Sequence, residues 1–258
     1  MLLIETTLFG VRLFASDLAS ACADLVRRAA TRQPGIVCVA NVDMMTRARA
    51  DATLLAAMQQ ACLVVSDGMP LVWALRARGF GAAQRVYGPG LMRALCVAAP
   101  AAGVSVYLYG GTTQDELDLL VAQLRHISPT LRIAGAVCPP MLPAQPPFNA
   151  ELARAINSSG AGMVFVGLGC PKQEYWMLTH AKQVNALMVG VGLAFAQIAG
   201  TKATAPRWMQ HIGLEWAFRL KQEPRRLWRR YLVGNSLFVW YCAQAGFRRL
   251  LSGMRRQA

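Results

Sequence analysis

The sequence predicts an α/β fold: a parallel sheet with helices on both faces, followed by a basic, helical C-terminal stretch of different character. Three observations predict it. Short apolar, β-rich runs alternate with helix-like segments along most of the chain. Several of these runs end in glycine, asparagine or aspartate, as strand-to-helix turns do. From Thr201 onward, twelve Lys or Arg face only Glu215 and Glu223, so this stretch carries +10 of the chain's net +14. Repeated strand, turn and helix means neighbouring strands run parallel and are covered on both sides.

The elements follow in order. Ile36–Asp43 reads as a strand followed by a helix through Met44–Ala57, and Leu63–Asp67 as a strand followed by Gly68–Arg78. Val104–Tyr109 leads through Gly110-Gly111 into a helix over Gln114–His126. Leu131–Ala136 is a strand entering a proline-rich loop, Pro139–Pro147. Met163–Leu168 leads into Gly169-Cys170-Pro171-Lys172, and Ala186–Val191 into Gly192. In such a sheet every strand ends at one edge, where ligands bind beside helix N-termini. That edge gathers Asn41, Asp43 and Asp67 with Gly110, Gly169 and Gly192, whose glycines admit close approach of a ligand.

The 258 residues divide into a core over 1–200 and an appendage over 201–258. Hydrophobic residues make up 55% and charged residues 16%, a basic and apolar balance that suits nucleic acid, an anionic membrane surface or phosphorylated substrates. Seven cysteines with no Cys-x-x-Cys pair point to a reducing compartment. His126, His180 and His211 are too scattered to read as a zinc site. Met1–Gly10 has no basic residue and does not read as a signal peptide, and no uncharged apolar run is long enough to span a membrane. In the tail, arginines interleave with Trp208, Trp216, Trp228, Tyr231, Phe238 and Trp240, the pattern of a segment that lies in a membrane interface.

Several residues carry two readings. Asp67 ends an apolar strand before a glycine, which fits a carboxylate at the ligand edge and equally a helix cap. Asp43 has the same ambiguity. Pro171-Lys172-Gln173-Glu174 is a well-formed helix start, yet Lys172 and Gln173 also suit a phosphate or a sugar hydroxyl. Arg85, in Arg-Val-Tyr-Gly, is either a solvated arginine or part of an anion-binding turn. Gly167-Leu168-Gly169 and Gly190-Val191-Gly192 begin like dinucleotide fingerprints, but Lys172 and Phe195 stand where the third glycine belongs. Arg219, Lys221, Arg225, Arg226, Arg229 and Arg230 meet only Glu223 in opposition, so phosphate or anionic lipid explains them better than a solvated face.

Together these motifs resemble the WecG/TagA/CpsF family of bacterial glycosyltransferases, glycosyltransferase family 26. The matching segments are Ser66-Asp67-Gly68-Met69-Pro70, Arg85-Val86-Tyr87-Gly88, Gly167 through Glu174, Gly190 through Gly200, Ala205 through Met209, Gly213 through Trp216, and Arg219 through Tyr231. They cover most of the chain. The resemblance implies a Rossmann-like core with a C-terminal appendage that docks on the membrane and completes the site. It implies inverting, metal-independent transfer, without a cofactor, from a UDP-sugar donor to a polyprenyl-diphosphate-linked acceptor in cell-surface polysaccharide synthesis. The expected place is the cytoplasmic face of the inner membrane, as a peripheral protein. Asp67 matches the proposed general base, and Asn41, Arg85 and Gln173 match pocket residues. Gly110, Gly169, Lys172, Gly192, Arg225, Arg229 and Arg230 complete the expected binding set. No Asp-x-Asp occurs, so arginines and helix N-termini are left to stabilise a departing diphosphate.

Two departures bear on the donor sugar: Val39 stands where the family often has threonine, and Ala196-Gln197 where Asp-Phe is common. Two rivals are weighed. A nucleic-acid-binding protein fits the charge alone, but no nucleic-acid motif appears and the charge sits among aromatics. A Rossmann oxidoreductase is opposed by both broken glycine fingerprints. A homo-oligomer stays open.

Overall fold

The computed structural model describes residues 4–206, 208–209 and 212–254, without the side chains at 226, 230 and 245–254. It opens on an antiparallel hairpin of β1 (Glu5–Leu8) and β2 (Val11–Phe14), then α1 (Leu18–Ala30), which Asp17 caps through the Ser20 amide. The strands β3 (Gly35–Ala40), β4 (Leu63–Ser66), β5 (Val106–Gly110), β6 (Ile133–Val137), β7 (Met163–Gly167) and β8 (Leu187–Gly190) form one sheet in the order β4-β3-β8-β7-β5-β6. Every pairing in it is parallel. The Rossmann-like expectation holds.

Alternation along the strands builds two cores. Cys38, Val64, Tyr109, Val166 and Met188 face one side, under α2 (Val42–Arg47), α3 (Ala52–Gln60), α4 (Met69–Arg76), α7 (Ala150–Ser158), α8 (Lys172–His180) and the hairpin. Val37, Val65, Leu108, Phe165 and Val189 face the other, under α1, α5 (Gly88–Ala98), α6 (Gln114–Ile127) and α9 (Ala194–Ala199). Strands buried on both faces read as continuous apolar runs, which is why they were visible in the sequence.

Two details differ from expectation. The first strand stops at Ala40, and the helix expected over 44–57 is two helices, α2 and α3. Asn41 Oδ1 accepts from the Met44 amide at 3.0 Å, and Asp51 Oδ1 from the Leu54 amide at 2.9 Å. Each cap stabilises its helix start by about 1 kcal/mol, enough to restart the chain at Asp51.

Beyond the sheet lie α10 (Glu215–Gln222) and the long α11 (Pro224–Met254). Leu227, Gly234 and Phe238 are buried, a helical spacing that seats α11 on α2. Phe238 and Tyr241 meet Phe9 of the hairpin turn edge-on, and the Arg49 guanidinium lies 4.1 Å from the Tyr241 ring centroid. On the other side Trp228, Leu232, Val233, Val239 and Trp240 are uncovered. No described helix is long and apolar enough to cross a membrane.

Buried His180 pins α7 to α8. Its Nδ1 donates to the Trp176 carbonyl at 2.8 Å, because a carbonyl only accepts, so Nε2 is the acceptor for the Asn149 amide at 3.0 Å. Burial pushes its pKa below the ordinary 6.5, against the Trp176 bond. A depressed histidine stabilises the fold above the unfolded value and loses that contribution as pH falls through 6.5 toward the folded value. Melting temperature is expected to drop from about pH 7 toward pH 5, and His180→Gln to flatten that slope; an unchanged slope removes His180 as its source.

Candidate functional site

The carboxyl edge of the sheet is where the chain leaves the core. At the end of β4 the Asp67 amide still donates to the Ala40 carbonyl at 2.6 Å, so Asp67 is held as a last ladder residue beside Asn41. Its side chain does not cap α4: Gly68 occupies that position, with no side-chain bond to the helix. Of the two readings that Asp67 carried, the cap is removed. The capping role falls instead to Asn41, while Asp43 pairs with Arg47 at 2.9 Å in the first turn of α2.

Arg85 arrives on the segment before α5, laid against β4 by the bond from the Val86 amide to the Ser66 carbonyl at 2.9 Å. Its Nε and Nη2 donate to Asp67 Oδ1 at 3.0 and 2.8 Å. The same Nη2 also donates to Glu215 Oε2, and Glu215 Oε1 accepts from Arg219 at 2.8 Å. Tyr87 lies under the Arg85 guanidinium, 4.8 Å from ring centroid to carbon. Two carboxylates and two guanidiniums thus form a chain, with Asp67 19% and Glu215 16% exposed. Burial raises the Asp67 carboxyl above its ordinary value; Arg85 opposes this, the Glu215 charge adds to it, and Arg219 opposes it.

Two cavities meet here. One, of about 390 Å³, lies over the sheet edge and is lined by glycines and polar groups, among them Gly111, Glu116, Gly169, Gln173, Gly192 and Lys202. The other, of about 210 Å³, lies between α4 and the C-terminal helices, with Met69, Pro70, Trp73, Leu214, Trp216 and Tyr231 in its walls. They share Asn41, Asp67 and Arg219.

Gln173 shows how closely the polar floor is fitted. A Cβ on Gly190 would stand 2.9 Å from its Nε2, and one on Gly192 3.3 Å from its Oε1. Nε2 donates to Oε1 of the fully buried Glu174, whose carboxyl burial pushes up. Among the described residues Gln173 Oε1 has no hydrogen-bond partner, although it is buried in the cavity wall.

Of the expected binding residues, Asn41, Asp67, Arg85, Gly169, Gln173 and Gly192 line one or both cavities. Others do not. Gly110 is needed because a Cβ there would lie 2.6 Å from the Gly167 backbone; its neighbour Gly111 faces the cavity. Lys172 turns away and donates to the Leu142 carbonyl at 2.8 Å, tying down the proline-rich loop. Arg225 and Arg229 are exposed and line neither cavity, Arg229 resting over Trp228; the Arg230 side chain lies outside the described residues. Glu215 and Arg219 were not in the expected set. Their sequence signal was there, two charges one helical turn apart, but it read as part of a basic tail.

The site is thus a carboxylate and two arginines at the carboxyl edge of an α/β sheet, between a polar and an apolar cavity. Residues 6–251, nearly the whole chain, match the model of the Glycosyl transferase WecG/TagA/CpsF family, and the chain belongs to that family. It is a glycosyltransferase of cell-surface polysaccharide synthesis. The family implies a sugar-nucleotide donor, a lipid-linked acceptor and work at a membrane surface.

Proposed function

We propose that the protein transfers a sugar from a UDP-sugar to a polyprenyl-diphosphate-linked sugar, with inversion and without a metal. The observation that carries this is the meeting of the polar and apolar cavities at Asn41, Asp67 and Arg219. The nucleotide suits the polar cavity, where the glycine-rich strand ends lie. The lipid-linked acceptor suits the apolar one, between Trp73 and Trp216.

In this reading the acceptor hydroxyl attacks the anomeric carbon while Asp67 takes its proton. The bond from that carbon to the donor's phosphate oxygen breaks, and its electron pair leaves on UDP. Arg219, on the wall of both cavities, stabilises the charge that develops on the diphosphate. Residues 1–200 act as the catalytic core. Residues 201–258 act as the appendage that closes the site and rests on the cytoplasmic face of the membrane. The uncovered Trp228, Leu232, Val233 and Trp240 on α11 support that docking, as do the exposed Trp208 and Ile212.

Incubating the full chain with UDP-sugars and synthetic polyprenyl-diphosphate sugars, read by mass, tests the reading. A product heavier by one sugar is expected, in excess EDTA as well as without it. Failure with every pair removes the proposed substrates. Loss on chelation, restored by magnesium or manganese, removes the metal-free mechanism.

A further inference from the structure

The ion chain at the site poses a chemical problem. A carboxylate that accepts two bonds from one guanidinium is a weak base, because the cation favours its charged form. Asp67 is in that position, with both Arg85 bonds on Oδ1. Arg85, however, is not committed to Asp67 alone. Its Nη2 is shared with Glu215, which α10 brings in from 130 residues away and which Arg219 holds in place.

We propose that Glu215 is a positioning residue for Asp67: by drawing on the same guanidinium, it keeps Arg85 from closing fully on Asp67 and leaves that carboxylate able to accept a proton. The inference rests on Asp67 being the base. The charged and titratable groups around Asp67 are Arg85 from the segment before α5, with Tyr87 beneath it, and Glu215 and Arg219 from α10. From α2 comes Asp43, paired with Arg47, and from α11 Tyr231. Glu215 is the acid in this set that shares the cation of Asp67 directly. Removing its charge leaves Arg85 to Asp67 and takes away a like charge, and both changes favour the ionised form of Asp67. Burial of the Asp67 carboxyl raises its pKa, and the Glu215 charge adds to that rise against the opposing pull of Arg85.

The test is the pH profile of kcat/KM, which reports the ionisations of the free enzyme. With Glu215→Gln in the full chain, the acid limb is expected to move down by about one pH unit and the plateau to fall severalfold, as for a weakened base. Glu215→Ala should displace the limb in the same direction, since lost charge is the cause in both. If Glu215 only docks α10, both variants lose activity by one factor at every pH and the limb stays, which overturns the inference. Asp67→Asn is measured beside them. Inactive Asp67→Asn with an unmoved limb sinks the Glu215 role alone, whereas full activity of Asp67→Asn sinks the base assignment on which it stands.

Discussion

Asp67→Asn is expected to cut turnover by about a hundredfold or more with the fold unchanged. The fold should survive because Asp67 is not a helix cap, and because its backbone bond to Ala40 does not depend on the side chain. Asparagine is nearly isosteric, and its Oδ1 can still accept from Arg85, so the guanidinium is not left without a partner. What the amide lacks is a basic oxygen. Donor binding, measured by calorimetry with UDP, should change far less than turnover, because Asp67 is one wall residue among many in the polar cavity. A variant that folds, binds UDP and turns over near the wild-type rate would leave Asp67 a purely electrostatic partner of Arg85.

A chain ending at Gly200 is expected to fold, to melt at a lower temperature, and to lose both turnover and binding to anionic liposomes. Both faces of the sheet are packed by helices that precede Gly200, so the two cores remain. The loss includes the buried Leu227 and Phe238, about 1.5–3 kcal/mol each by side-chain burial. It also includes the bond from Thr201 to Glu116. That is a cost of a few kcal/mol, felt in the melting temperature. Turnover should collapse because Glu215, Arg219 and one wall of the apolar cavity leave together. Liposome binding by the full chain should weaken with salt but not vanish, since the exposed tryptophans and aliphatics of α11 are insensitive to screening. A truncated chain that keeps membrane binding and full activity would overturn the division at residue 200.

Much of this was legible because buried parallel strands announce themselves. Each sheet strand lay within a few residues of its apolar run, and their common carboxyl edge followed from the parallel sense alone. The hairpin was not legible. Its turn is Phe9-Gly10, both at positive φ, and phenylalanine gives none of the turn signal that asparagine would. The division of labour between Asn41 and Asp43 was hidden because either residue can cap a helix, and only the position where β3 stops decides. Lys172 and Gln173 are adjacent in sequence, yet the helix turn sends one to a loop carbonyl and the other into the cavity wall. The Arg85–Glu215 pairing spans 130 residues, and no periodicity reports a contact at that distance.

Among the described residues the two cavities share Asn41, Asp67 and Arg219, and in the proposed reaction this bears on how catalysis is ordered in time. If, as proposed, a water-borne donor sits in the polar cavity and a bilayer-borne acceptor in the apolar one, the two come to the reacting point from different sides. On that proposal neither has to vacate its seat for the other, both are present when the bond is made, and no sugar is parked on the protein between half-reactions. Steady-state rates should then give intersecting double-reciprocal lines. The same proposal lets spent nucleotide leave toward the water while the lengthened lipid stays within the membrane plane.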